Sequence, residues 1–240
     1  MKLSSAVLLF TFGTGLAGLF GSNYVMKKEF DKVDKTDPYW TYKKVEEKPF
    51  HHLVVNGGNI SNIIYEESAH SFVKLMRSWR GSDDGSVKTN INNDTLYLDF
   101  DNHYADLYEK YWLRDVVPVR ISTPVLISAT GSNTKLVLDK FNQPSLRINL
   151  TGDSKIQVNC FRNHFSKIEV DQKDSSLVAF TVSKELFLPD AITVDTAVVR
   201  GSGTSLLNIR TATIDLLDLK LTNDASVALS GYSLEKWRKK

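Results

Sequence analysis

From Phe50 onward helical periodicity almost disappears, and apolar and polar residues alternate in short segments. Leu53 to Val55, Ile60 to Tyr65, Phe72 to Met76, Thr95 to Phe100 and Val117 to Ile121 read as strands. Turns fall between them at Gly57-Gly58, Gly81 to Gly85 and Asn92 to Asp94. Between Val125 and Leu229 one phrase recurs: an alternation, a small polar turn, a second alternation. It spans Leu126 to Leu138, Leu146 to Val158, Ile168 to Leu177 and Leu217 to Leu229, with a looser copy from Ile192 to Ile209. The pattern predicts an all-β domain.

Many short strands at even spacing suit either a sandwich of hairpins or a solenoid of stacked rungs. The repeating half lacks the Asn-Gly and Asp-Gly dipeptides that close two-residue hairpins. The repeat therefore predicts a solenoid-like stack, with Leu126, Ile148, Val170 and Leu219 pointing inward on neighbouring rungs. Arg147, Asn149, Glu169, Asp218 and Lys220 then point outward.

The N-terminus has a different pattern. Leu3 to Met26 is uncharged and mainly apolar, with Lys2 before it and Lys27-Lys28 behind. Its length and flanks make residues 1–26 a membrane anchor or signal segment, with a transmembrane helix over residues 3–26 favoured as an uncleaved signal anchor over a cleaved signal peptide. A charged stalk over 27–48 follows, then the β domain over 49–234 and a basic tail over 235–240. This organisation predicts a membrane-anchored chain with the domain outside the cytoplasm, in the periplasm or cell envelope.

Composition narrows the chemistry. Thirty Lys and Arg against 28 Asp and Glu leave a net charge of +2, spread along 240 residues, and provide no field for nucleic acid. The single cysteine, Cys160, excludes an internal disulfide and a thiolate metal cage. No Gly-x-Ser-x-Gly elbow, His-Glu-x-x-His helix or phosphate loop occurs, and no cofactor is expected.

Two groups of residues stand out. Tyr104, Tyr108, Tyr111 and Trp112 are spaced four, three and one, so a helix over Asn102 to Asp115 gathers four aromatics on one side. That is either packing over an open end of the domain or a platform for a sugar or peptide. Asp99, Asp101 and His103 alternate on one face of a strand, with Asp106 nearby, and are weak candidates for a divalent ion against the plainer reading of a wet strand face. His51 and His52 point to opposite faces of a strand and cannot act together, while His70 and His164 stand alone.

The opening phrase Pro49-Phe50-His-His-Leu53-Val-Val55-Asn-Gly57-Gly58-Asn59-Ile60 and the later phrase Val117-Pro-Val-Arg-Ile121-Ser-Thr-Pro124-Val-Leu126 resemble the head GIN domain family, auto-transporter adhesins of Bacteroidetes-type bacteria. Turns at Gly131-Ser132, Gly152-Asp153, Gly201-Ser202-Gly203 and Ser230-Gly231 add to the likeness, which covers about Phe50 to Tyr232. Asp174 and Asp224 stand where the family pattern expects glycine. The resemblance implies a right-handed β-helix-like fold in the cell envelope and carries over no catalytic residue. The expected function is a noncatalytic envelope protein that presents its domain for binding or adhesion to an envelope glycan or protein. Alternatives are an anchored sensor or structural module and a polysaccharide lyase or hydrolase.

Overall fold

A computed structural model describes residues 3–34, 36–59, 61–77, 87–101, 117–160, 163–182, 192–210 and 212–231. Two compact units divide at Thr41 and Tyr42. The first holds helix α1, Leu3–Asp31. Its large apolar side chains, Leu8, Phe10, Phe12 and Phe20 among them, are exposed. Among the described residues no helix is long and apolar enough to cross a membrane. Thr11, Gly13, Thr14, Gly15, Gly18, Gly21, Ser22 and Asn23 interrupt its apolar run. The hydroxyls of Thr11 and Thr14 turn back onto the carbonyls of Val7 and Phe10 at 2.9 and 3.0 Å. The expected transmembrane signal anchor over residues 3–26 is therefore corrected. With it go the membrane as a partner and the anchored, extracytoplasmic localisation that rested on it.

The second unit is all β. Its strands in chain order are β1 (Tyr42–Glu46), β2 (His52–Asn56), β3 (Ile63–Glu67), β4 (Phe72–Met76), β5 (Val87–Asn92), β6 (Thr95–Phe100), β7 (Val119–Thr123), β8 (Ser128–Ser132) and β9 (Lys135–Phe141). Then come β10 (Ser145–Thr151), β11 (Lys155–Cys160), β12 (Asn163–Gln172), β13 (Leu177–Val182), β14 (Ile192–Gly201), β15 (Leu206–Asn208), β16 (Ala212–Leu221) and β17 (Ser226–Ala228). They form a nine-stranded sheet ordered β1-β4-β7-β3-β9-β11-β13-β15-β17 and an eight-stranded sheet ordered β16-β14-β12-β10-β8-β2-β6-β5.

The expected right-handed β-helix, a solenoid-like domain of short stacked rungs, gives way to these two mixed sheets. From β7 onward successive strands alternate between the sheets, and each of β10 to β17 pairs in parallel with the strand two before it. The N-terminal half breaks that pattern. β1 and β7 both run antiparallel to β4, and β5 runs antiparallel to β6. The β5–β6 hairpin closes on Asn93 and Asp94, at φ 46° and 64°. Two adjacent left-handed residues are what a two-residue hairpin turn demands, and Asn and Asp tolerate that region better than other side chains. Hairpin chemistry is thus supplied by Asn-Asp where Asn-Gly is absent.

Alternation fixes which side chains face the interior. Leu96, Leu53, Ala129, Ile148, Val170 and Val199 stand opposite one another across neighbouring strands of the eight-stranded sheet, and Leu219 of β16 ends the column. All but Leu219 are buried, joining one core with Ile63, Leu136, Ile156 and Val178 of the other sheet. Ala129 occupies the position expected for Leu126, which is buried just ahead of β8. Burial of each large aliphatic contributes roughly 1.5–3 kcal/mol.

Aromatic rings fill the middle of that core. Tyr65, Phe141, Phe165 and Phe180 follow one another with centroids 6.3, 6.0 and 5.9 Å apart, tilted, stacked and edge-on in turn. The Tyr65 hydroxyl satisfies its polar end by donating to the Thr123 carbonyl at 3.0 Å and accepting from Gln143 Nε2 at 3.2 Å. Gln143 Oε1 in turn accepts the Leu126 amide at 2.9 Å, and the Thr123 hydroxyl donates to the Phe50 carbonyl at 2.6 Å. Buried polar groups of this kind persist because each finds a partner.

Candidate binding face

Parallel strands in register turn outward positions into rows that cross the sheet about 4.8 Å per strand. On the outer face of the eight-stranded sheet one row runs His52, Ser128, Arg147, Glu169, Val198, Asp218. The adjacent row runs Val54, Thr130, Asn149, Asp171, Arg200, Lys220. Both rows are exposed or half-buried throughout. The outward set expected from alternation, Arg147, Asn149, Glu169, Asp218 and Lys220, lies here together.

Within the rows side chains pair across strands. His52 Nδ1 lies 2.8 Å from Ser128 Oγ, and Asn149 Nδ2 donates to Thr130 Oγ1 at 3.4 Å. Glu169 receives Arg147 Nε at 2.6 Å on one oxygen and Lys167 Nζ at 2.5 Å on the other. Arg200 stands 4.0 Å from Asp171. The Lys167 ammonium, then the Arg147 guanidinium, hold the Glu169 carboxyl below the usual glutamate range. Glu169 is thus ionised at neutral pH. It serves as a fixed acceptor and not as a proton donor, the role one carboxyl of a glycosidase pair must fill.

The nine-stranded sheet carries a smaller polar patch on its outer face. Asn159 Nδ2 donates to Asp139 Oδ1 at 3.2 Å, while Thr181 Oγ1 and Gln157 Nε2 donate to Asn159 Oδ1 at 2.6 and 2.8 Å. Arg120 pairs with Glu66 further along. Side chains in these patches are held in place before any ligand arrives, which lowers the ordering cost of binding.

The remaining candidates divide. Tyr104, Tyr108, Tyr111 and Trp112 lie outside the described residues, as do His103 and Asp106. Asp99 faces outward on β6 and accepts Asn56 Nδ2 at 2.7 Å, and Asp101 follows the strand as an exposed residue. Among the described residues no three His, Cys, Asp or Glu side chains are grouped to hold a metal ion. His51 sits against Asp94, 2.8 Å from Nδ1 to Oδ1, apart from His52. His164, expected to stand alone, lies 2.7 Å from Asp195. Sequence reading passed over Lys167, Asp171 and Arg200. The signal was present, since Lys167 and Asp171 flank Glu169 at two-residue steps on the same strand face.

No protein-family model matches the chain, and no curated protein sequence does. Among solved structures, the chain is similar to a "putative lipid binding protein" from Parabacteroides distasonis at 10% identity and TM-score 0.46, covering 78% of this chain and 80% of that one. It is similar also to a "putative adhesin" from the same organism, at 14% identity and TM-score 0.44 over the same shares. A "putative adhesin" from Bacteroides fragilis matches at 12% identity and TM-score 0.40, covering 78% of this chain and 95% of that one. The likeness is distant. It stops short of assigning the head GIN domain family.

Proposed function

We propose that the chain is a noncatalytic binding or adhesion module whose eight-stranded sheet holds a polysaccharide across the rows of Arg147, Asn149, Glu169, Asp171 and Arg200. The observation that supports this is the in-register ladder itself. Donors and acceptors alternate along it, each half-exposed and already oriented by a neighbour. Sugar hydroxyls both donate and accept, so a ladder of mixed polarity suits them better than a field of one sign. Because Glu169 offsets one of the two charges of Arg147 and Lys167, and Arg200 faces Asp171, the face carries little net charge to demand an ionic ligand.

The test is co-sedimentation of the full chain with insoluble polysaccharides of several linkages, with product sizing in the supernatant. Retention on one linkage, weakened severalfold by Asn149→Ala and Asp171→Ala with thermal transitions unchanged, is the expected result. Shortened chains in the supernatant would overturn the noncatalytic reading. Retention untouched by both substitutions would move the site off this face.

A further inference from the structure

We infer that the Leu217–Leu221 stretch of β16 is a homodimer interface, formed by antiparallel pairing with the same segment of a second copy about a two-fold axis at Leu219. β16 is the last strand of its sheet, so one side of its backbone has no strand neighbour among the described residues. Such an edge is a template for another strand. Two of its inward side chains, at its C-terminal end, are also only partly covered. Leu219 and Leu221 are 40% and 37% exposed, whereas Val199, which stands opposite Leu219 on β14, is 1% exposed. Among the described residues the core therefore ends here on leucines that point inward without a next layer.

The sequence of the edge selects the occupant and the register. In an antiparallel pair, residues directly opposite share a face, so inward leucines must meet inward leucines. Over Leu217–Leu221 that leaves three registers, centred on Asp218, Leu219 or Lys220. The first sets Asp218 against its own mate, and the third sets Lys220 against its mate. Both place like charges opposite one another. Centring on Leu219 sets each Asp218 against the Lys220 of the second copy, on the outer face. It sets Leu217 against Leu221 on the inner face and Leu219 against its own mate. Charge and apolar patterns agree on one self-complementary arrangement, as an isologous interface requires. Lys220 alone would act as a guard against edge pairing; with Asp218 two residues away it becomes half of a matched pair.

The test uses the full chain with cysteine cross-linking and a charge-exchange series. Directly opposed Cα atoms in an antiparallel pair lie about 4.5–5.5 Å apart, within disulfide range. Leu219→Cys should form a disulfide dimer under mild oxidant, while Leu216→Cys, off the axis, should not; the native Cys160 is buried and does not compete. In sedimentation velocity, Asp218→Lys should weaken dimerisation roughly tenfold, and adding Lys220→Asp should restore it. These two side chains are exposed, so far-UV circular dichroism should stay unchanged in all variants. A wild-type chain that remains monomeric would overturn the inference. So would equal cross-linking at Leu216→Cys, or association through exposed α1 that ignores the charge exchange.

Discussion

The side-chain amide of Gln172 donates to the carbonyl of Leu206 at 3.1 Å, tying β12 of one sheet to β15 of the other. The same Nε2 donates to the Ser176 carbonyl at 3.2 Å, and Gln172 is 3% exposed. It occupies a column otherwise made of Leu98, Val55, Gly131, Leu150, Gly201 and Leu221. Replacing it with leucine keeps the volume and removes the tie. Gln172→Leu should lower stability by about 1–2 kcal/mol, read from urea denaturation, because both carbonyls keep a backbone donor and lose only the second one.

Left-handed residues at the turns make a paired prediction. Gly203, at φ +70°, lies where an added Cβ would come 2.9 Å from the backbone N, Cα and O of Asp174. Gly203→Ala should cost at least about 2 kcal/mol, since backbone cannot yield as a side-chain tip can. Asn133, at φ 50°, gains from glycine what its backbone needs and loses the bond from the Asp153 amide to its Oδ1 at 3.0 Å. Asn133→Gly should therefore stay within about 1 kcal/mol of wild type by thermal denaturation.

Glu169 supplies a pH dependence. Its folded pKa is depressed, by Lys167 first and Arg147 second, so its contribution is full above the unfolded glutamate value of about 4.3 and fades as pH falls through the lower folded value. The ion pairs are at the surface, and the effect should be below about 1 kcal/mol. Wild type and Glu169→Gln should differ in melting temperature at pH 7 and converge near pH 3. A constant difference across that range would contradict the ion-pair account.

Cys160 should behave as a reporter of opening. It is 1% exposed, and burial pushes its thiol up to about 12. A thiol reagent at pH 8 should label the native chain only at the rate of transient unfolding, and one equivalent promptly in denaturant. Fast labelling of the native chain would place the side chain at the surface.

Strand content was legible because alternation at Ile168-Val170 or Ile156-Val158 has one physical meaning, an inward and an outward face. The pairing scheme was less legible. β5 and β6 turn on Asn93-Asp94, a weaker hairpin signal than Asn-Gly, and β4 lies antiparallel between β1 and β7 without any local mark. Gly131 was read as a turn residue, yet the left-handed position is Asn133; at Gly131 a Cβ would stand 2.5 Å from Thr134 Cγ2 and 2.9 Å from Leu150 Cδ2. Close packing, not turn geometry, excludes a side chain there. At Asp174 the expectation of glycine was well founded in conformation, for its φ is 60°. In the binding face, single outward residues could be named from the chain. Their partners could not, because Arg147 meets Glu169 and Asn56 meets Asp99 only after strands that do not follow one another in the chain are set in register.

Sending successive strands to opposite sheets has a kinetic consequence. In the C-terminal half, cross-strand partners are close in sequence: 19 residues separate Thr130 from Asn149, and 22 separate Arg147 from Glu169. In the N-terminal half His52 reaches Ser128 across 76 residues and Tyr65 reaches Gln143 across 78. Loop-closure entropy rises with span, and long-range β pairing is slow. We predict that the region from β8 to β16 gains amide protection first during refolding, and that β2 and β3 dock onto its β8 and β9 afterwards. Pulse-labelling hydrogen exchange showing β2 protected ahead of β12 would reverse that order. In the predicted order, the earliest residues of the domain are among the last to find their places.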